Sequence, residues 1–188
     1  MAGDWIRTRS GLRFHVLDPN PLEVCINDIA HALSMQCRFV GHVSHFYSVA
    51  QHSVIVSEHC SPEDASEAYI GDMSAPLKHT DAMREFRSAE LAVMHAICEH
   101  FGLSPVEPSS VVVADRRALL TEARDLGLDV TGWYTEHEPY VETLTPWTPA
   151  IAEQKFLDRY AELVGHRQMA HPDFRHQADG HYDGGCCA

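Results

Sequence analysis

Apolar residues recur at helical spacing over most of this chain, which predicts a mostly α-helical protein. Capping residues or prolines precede several of these segments, and Gly102 and Gly127 follow two of them. The predicted helices run from 27 to about 37, from about 44 to 59, from 61 onward, from 81 to 100, from 111 to 126 and from 148 to about 165. Before them, residues 5–16 form two short extended runs around Ser10-Gly11, which predicts a small β-hairpin.

The first two helices are expected to differ in character. In the first, apolar side chains share one face; they are Ile29, Ala32, Leu33 and Cys37. In the second, His45, His52 and His59 recur every second helical turn and so share one stripe. A polar helical face is the plain interpretation of that stripe.

The composition indicates one domain. A chain of 188 residues with 45% apolar content can bury one sizeable core. We expect this domain over residues 1–165, followed by a flexible tail over 166–188 that is rich in His, Asp and Gly. The sequence has neither the roughly 20 consecutive apolar residues of a membrane helix nor an apolar signal core at the amino terminus, so we expect a cytoplasmic protein.

Charge and cysteine usage exclude several classes of function. Fourteen basic and 27 acidic residues give a net charge of -13, which repels nucleic acids and anionic membranes. An anionic nucleotide therefore needs a local cationic pocket. The six cysteines include no C-x-x-C pair, so neither structural zinc nor a disulfide framework is expected. The expected partner is a small-molecule nucleotide rather than a nucleic acid or a membrane. Formation of a homo-oligomer is compatible with the sequence.

Three separated pieces of the sequence contain residues typical of a metal site. They are Val49-Ala50-Gln51-His52-Ser53, residues 64–72 and Ala114-Asp115-Arg116-Arg117. Together they supply an imidazole and carboxylates on separate predicted helices, which suits metal-assisted hydrolysis. Two plainer interpretations compete: His52 as a packing or surface residue, and Asp64 as an acid at a helix amino terminus.

In this order the pieces resemble the HD superfamily of metal-dependent phosphohydrolases. Arg38-Phe39, followed by residues 46–53, is similar to its branch of bacterial 5'-deoxynucleotidases and phage deoxynucleoside triphosphohydrolases. The resemblance covers roughly residues 3–165. It implies an all-α HD-domain helical bundle, a divalent cation (Mn, Co, Mg, Zn or Fe) and cleavage of a phosphate bond in a (deoxy)nucleotide substrate.

The resemblance also implies a role for each matching acid and histidine. His52, Asp64 and Asp115 would bind the metal, so the ligating atoms of His52 and Asp115 should lie within about 5 Å of each other. Glu67 would position or deprotonate the attacking water, and Asp72 would assist proton transfer near the leaving group.

Two cations, Arg38 and Lys78, would neutralise the phosphate oxygens according to the same resemblance. Other charged residues near Asp115 are interpreted as a solvated helical face. They are Arg116, Arg117 and Arg124, with Glu122 and Asp125 as their partners.

The chain departs from the family at the histidine of the His-Asp pair, because Glu63 precedes Asp64. Twelve positions separate His52 from Asp64, which leaves no room for a helix that returns to the metal, since a helix continuing to His59 moves roughly 10 Å away. Three explanations are open: a lost internal segment, which we favour, recruitment of Glu63 or another histidine, or a degenerate site. The alternative function is a catalytically degenerate nucleotide-binding or oligomer-forming protein of the same fold.

Overall fold

The chain is mostly helical, with a small two-stranded antiparallel sheet near its amino terminus. This confirms the predicted class of fold. The computed structural model describes residues 4–59, 67–106, 108–131, 133 and 136–170.

The amino-terminal hairpin consists of β1, Ile6–Arg7, and β2, Arg13–Phe14, with Ile6 opposite Phe14 and Arg7 opposite Arg13. Its turn contains Gly11 at a φ of 91°, which a glycine adopts without a Cβ clash. Phe14 is fully buried and stacks on Tyr69, with 3.8 Å between ring centroids. The predicted hairpin is therefore present and is anchored to the helical core.

The helices of the described residues are α1, Ile26–Met35; α2, Val49–His59; α3, Glu67–Ile70; α4, Ala75–Lys78; α5, Arg84–Phe101; α6, Ser109–Leu126; and α7, Pro149–Ala170. Short 3-10 turns at Pro21–Glu23 and Asp81–Met83 precede α1 and α5. Helices α5 and α6 end where predicted, at Gly102 and Gly127. Both glycines have left-handed φ values, 59° and 74°, and this conformation is strained for a residue with a side chain.

Helix α2 packs against α1, α6 and α7, and its residues 49–57 are all buried. One core cluster joins Phe14, α1 and the start of α2 to α5, and a second joins the end of α2 to α6 and Tyr140. The plainer alternative, a polar face shared by His45, His52 and His59, is therefore wrong for His52. Neighbouring helices cover α2 on every side, and His52 is only 1% exposed.

The boundary between the first two helices also differs from the prediction. Helix α1 ends at Met35, so Cys37 lies beyond the apolar face on which we expected it. Helix α2 begins at Val49 rather than near Ser44, and His45 is consequently not on that helix. The physical reason is backbone pairing within the segment that connects the two helices.

Helix α7 continues to Ala170, beyond the expected end near Gly165. A single glycine in a helix costs only about 1 kcal/mol, which the long flanking helix outweighs. The helix start predicted at 61–64 and the tail residues 171–188 lie outside the described residues. Among the described helices, none is both long enough and apolar enough to cross a membrane.

Candidate functional site

The connection between α1 and α2 is a loop closed at its base by backbone hydrogen bonds. The N–H of Arg38 donates to the carbonyl of Tyr47 at 2.9 Å, and the N–H of Val49 donates to that of Gln36 at 3.0 Å. Two extended segments therefore run antiparallel where the loop begins and ends. This pairing delays the start of α2 to Val49 and places Arg38 beside Tyr47.

Immediately after Arg38 the backbone is left-handed. Phe39 and Val40 have φ values of 56° and 54°, and Gly41 follows at 77°. Left-handed backbone costs a residue with a side chain about 1–2 kcal/mol, and β-branched valine is especially unsuited to it. Such strain persists only where the surrounding structure over-determines it, and it is concentrated at functional sites.

Glu122 of α6 is the centre of a buried polar cluster and is fully shielded from solvent. Its Oε1 accepts a hydrogen bond from the Tyr47 hydroxyl at 3.0 Å and lies 2.6 Å from Nδ1 of His52. Its Oε2 lies 3.2 Å from Nε of Arg38, at ion-pair distance. One carboxylate thus contacts three polar side chains, two from the connection between α1 and α2 and one from α2 itself.

The electrostatics of the cluster favour the charged form of Glu122. Burial by itself raises the pKa of the carboxyl, but the Arg38 charge, the interaction with His52 and the Tyr47 hydrogen bond outweigh it and hold the pKa below its usual value. The Tyr47 hydroxyl shows the opposite shift. Burial and the neighbouring Glu122 carboxylate raise the pKa of Tyr47 well above its ordinary value, so the hydroxyl remains a donor.

His52 connects this buried cluster to the surface. Its Nδ1 faces Glu122, and its Nε2 lies 3.1 Å from Oδ1 of Asp115. The Asp115 side chain is 48% exposed, whereas His52 is almost fully buried. The ring therefore has one nitrogen facing a fully buried carboxylate and the other facing a half-exposed one.

A cleft of about 510 Å³ adjoins the cluster at Arg38. Its polar lining includes Asp72 and Lys78, and the Lys78 ammonium lies 2.5 Å from Oε1 of Glu90. Its apolar and aromatic lining residues include Phe39, Leu119 and Trp133. The cleft combines two cationic side chains with aromatic surface.

The structure brings together several of the residues predicted for the site. His52 and Asp115 meet within the expected 5 Å, since Nε2 and Oδ1 are 3.1 Å apart. Arg38 and Lys78 line one cleft, and Asp72 lines it as well. The metal, phosphate and catalytic roles of these residues stay predictions.

Two predicted residues are described only in part or not at all. Asp64 lies outside the described residues, and Glu67 begins α3, with its side chain also outside them. Asp72 donates its backbone N–H to Oε1 of Gln36 at 2.8 Å. Over the described part of the chain, no group of three or more His, Cys, Asp or Glu side chains is arranged to hold a metal ion.

The prediction that Glu122 pairs with surface arginines is wrong, because it lies on the face of α6 that packs against α2. The proposed partnership of Arg124 with Asp125 is present, at 2.7 Å. The sequence did contain a signal for Glu122. Glu122 follows Asp115 by two helical turns, so both acids lie on one face of α6. Tyr47 likewise lies within residues 46–53, which carry the family resemblance, but its contact with Glu122 depends on tertiary structure.

These observations define a mostly helical protein with a buried carboxylate, imidazole and guanidinium cluster next to a cleft. No protein-family model matches the chain. It is 39% identical over 178 residues to "Uncharacterized protein YfdR" of Escherichia coli (strain K12), a match that covers 88% of this chain and 99% of that protein. It is 32% identical over 141 residues to "Uncharacterized protein RCAP_rcc00048" of Rhodobacter capsulatus, covering 66% of this chain and 71% of that protein. The chain belongs to the same family as YfdR.

Proposed function

We propose that this protein is a metal-dependent phosphohydrolase of the HD type that acts on (deoxy)nucleotides. The observation that carries the proposal is the approach of His52 Nε2 to Asp115 Oδ1, 3.1 Å apart, from two helices that are distant in the sequence. The helical fold agrees with an HD-type bundle. The proposal also rests on the motif resemblance around Arg38 and His52.

The donor geometry suits a shared divalent cation. Two ligand atoms that each lie about 2.1 Å from one ion, at an angle near 90°, are about 3.0 Å apart, close to the separation of His52 Nε2 and Asp115 Oδ1. An imidazole nitrogen and a carboxylate oxygen are common ligands for Mn, Co, Fe and Zn. When bound, the cation would supply Lewis acidity for activating water and would offset phosphate charge. Asp64, if it reaches this position, would add a further ligand.

The remaining chemistry belongs to residues of the cleft. Arg38 and Lys78 both line it and would bind phosphate oxygens, which gives a strongly acidic protein a local cationic site. An ammonium has three N–H donors, so the contact of Lys78 with Glu90 leaves donors for a phosphate. Glu67 would accept a proton from the attacking water, and Asp72 would protonate the leaving group from the cleft wall.

The comparisons also bear on the missing histidine. The match to YfdR extends over 178 positions, yet 88% of this chain is only about 165 of its 188 residues. YfdR therefore contains residues that have no counterpart here. We propose that some of them belong between His52 and Asp64, because twelve positions are too few for a helix that returns to the metal.

The central test measures binding and turnover in the same preparations. We expect isothermal titration calorimetry to detect Mn²⁺ binding, and release of phosphate from deoxynucleoside mono- or triphosphates to require the metal. Glu67→Gln should lower turnover and leave Mn²⁺ binding intact. Asp81→Asn, at a fully exposed acid, is the matched control. Nucleotide binding without metal-dependent turnover would instead support the degenerate binding protein.

A second experiment tests the lost segment. A helical insertion that ends in histidine directly before Asp64 should increase Mn²⁺ affinity and phosphohydrolase activity together, because it supplies one more ligand to the same ion. If the unmodified chain already binds Mn²⁺ as tightly and hydrolyses nucleotides as fast, no segment is needed, and Glu63 or another side chain completes the site.

A further inference from the structure

We propose that Glu122 is a positioning residue that fixes both the metal-binding nitrogen of His52 and the phosphate-binding guanidinium of Arg38. This inference rests on the proposed function and extends it to a residue that neither the motifs nor the comparisons assign. It follows from the contacts of one fully buried carboxylate.

The first step concerns the protonation of the His52 ring. A carboxylate accepts hydrogen bonds and has no proton to donate, so the Nδ1 atom 2.6 Å from Glu122 Oε1 must be the N–H side of the ring. The Asp115 carboxylate also faces the ring, but it is 3.1 Å from Nε2 and 48% exposed, whereas Glu122 is closer and fully buried. In the neutral ring the proton is therefore on Nδ1 and the lone pair on Nε2. A metal requires the lone-pair nitrogen, so Glu122 selects the tautomer that can bind it.

The second step concerns orientation. Glu122 Oε1 also accepts from the Tyr47 hydroxyl, and Oε2 faces the Arg38 guanidinium, so three neighbours restrain rotation of the carboxylate. The restrained carboxylate in turn restrains the buried imidazole of His52. Asp115 lies two turns earlier on the same helix, α6, so a single rigid element carries both the supporting acid and a proposed ligand.

The third step follows from the two oxygens of Glu122. Oε1 contacts the residue proposed to bind the cation, and Oε2 contacts the residue proposed to bind phosphate. A change at this one position should therefore weaken both functions together. A purely structural acid elsewhere in the chain would not produce that combination.

The test compares Glu122→Gln with Glu23→Gln, its matched control. Glu23 also pairs with a histidine, His15, at 3.0 Å, but it lies away from the cleft. We expect Glu122→Gln to lower Mn²⁺ affinity by about 10–100-fold, the usual loss when the support of a ligating histidine is removed. It should also raise KM for the nucleotide, through Arg38, and lower kcat. Equal Mn²⁺ affinities in the two variants would overturn the proposal.

A spectroscopic readout depends neither on the folding of Glu122→Gln nor on turnover. In ¹⁵N-labelled, metal-free parent chain, the neutral His52 ring should carry its proton on Nδ1; the signal is assigned by its loss in His52→Gln. A proton on Nε2 instead would overturn the role of Glu122. If Nδ1 is protonated but no divalent ion binds, the positioning of His52 stands and the proposed metal chemistry fails.

Discussion

Replacing Arg38 by methionine would isolate the energy of the buried ion pair. The substitution keeps much of the side-chain volume and removes the charge that lies 3.2 Å from Glu122 Oε2. Removing one member of a buried pair typically costs about 3–5 kcal/mol, because the other charge is left without compensation. The Arg38 side chain is 15% exposed, so we expect a loss at the lower end of this range. The free energy of unfolding should fall by about 3 kcal/mol at neutral pH.

The pH dependence supplies an internal check on this prediction. In the parent, the pKa of Glu122 is held below its usual value, so the carboxylate contributes stability above the unfolded-state pKa and loses it as the pH falls through the lowered folded pKa. In Arg38→Met, burial is no longer opposed by the guanidinium and the pKa of Glu122 should rise. The free-energy difference between parent and variant should therefore be largest near pH 7 and shrink as the pH falls towards about 4.

The assay is urea denaturation followed by circular dichroism at several pH values. Arg84→Met is the control, since Arg84 is largely exposed, lies 3.9 Å from Asp81 and should change the free energy of unfolding by less than about 0.5 kcal/mol. The double variant Arg38→Met with Glu122→Gln should recover part of the loss, with a coupling of about 1–3 kcal/mol. A loss below about 1 kcal/mol at pH 7 in Arg38→Met would refute the buried charged pair.

Three further substitutions test other parts of the site. Tyr47→Phe removes a hydrogen bond to the charged Glu122 and should cost about 1.5–3 kcal/mol in urea denaturation; an unchanged midpoint would contradict that bond. Asp115→Asn should weaken Mn²⁺ binding at least about tenfold in calorimetry and leave the unfolding midpoint nearly unchanged, whereas equal affinity in Asp81→Asn and Asp115→Asn would argue against a ligand. Val40→Gly should raise the thermal midpoint slightly, because relief of left-handed strain of about 1–2 kcal/mol exceeds the roughly 0.5–1 kcal/mol entropic cost of glycine; a lower midpoint would mean that the valine side chain stabilises the turn.

Local features of the sequence were sufficient for the hairpin and for the ends of α5 and α6. Gly102 and Gly127 adopt the left-handed conformation that ends a helix, and this preference depends on the residue itself. The start of α2 could not be predicted in this way. It depends on the backbone hydrogen bond between Arg38 and Tyr47. Each of the two segments by itself has the sequence of a helix or a turn, so neither indicates that they pair.

The sequence by itself determined the candidates for the site, because the family resemblance singled out His52, Asp115, Arg38 and Lys78. Motif order also predicted the convergence of His52 and Asp115, which lie 3.1 Å apart. Only the tertiary structure decided what supports them. Glu122 has the same local sequence features as a solvent-facing acid on α6, and its role changes because α2 and the Arg38–Tyr47 pairing bury it. Burial is a property of packed elements, and removal from water is what converts an ordinary acid into the centre of a charged cluster.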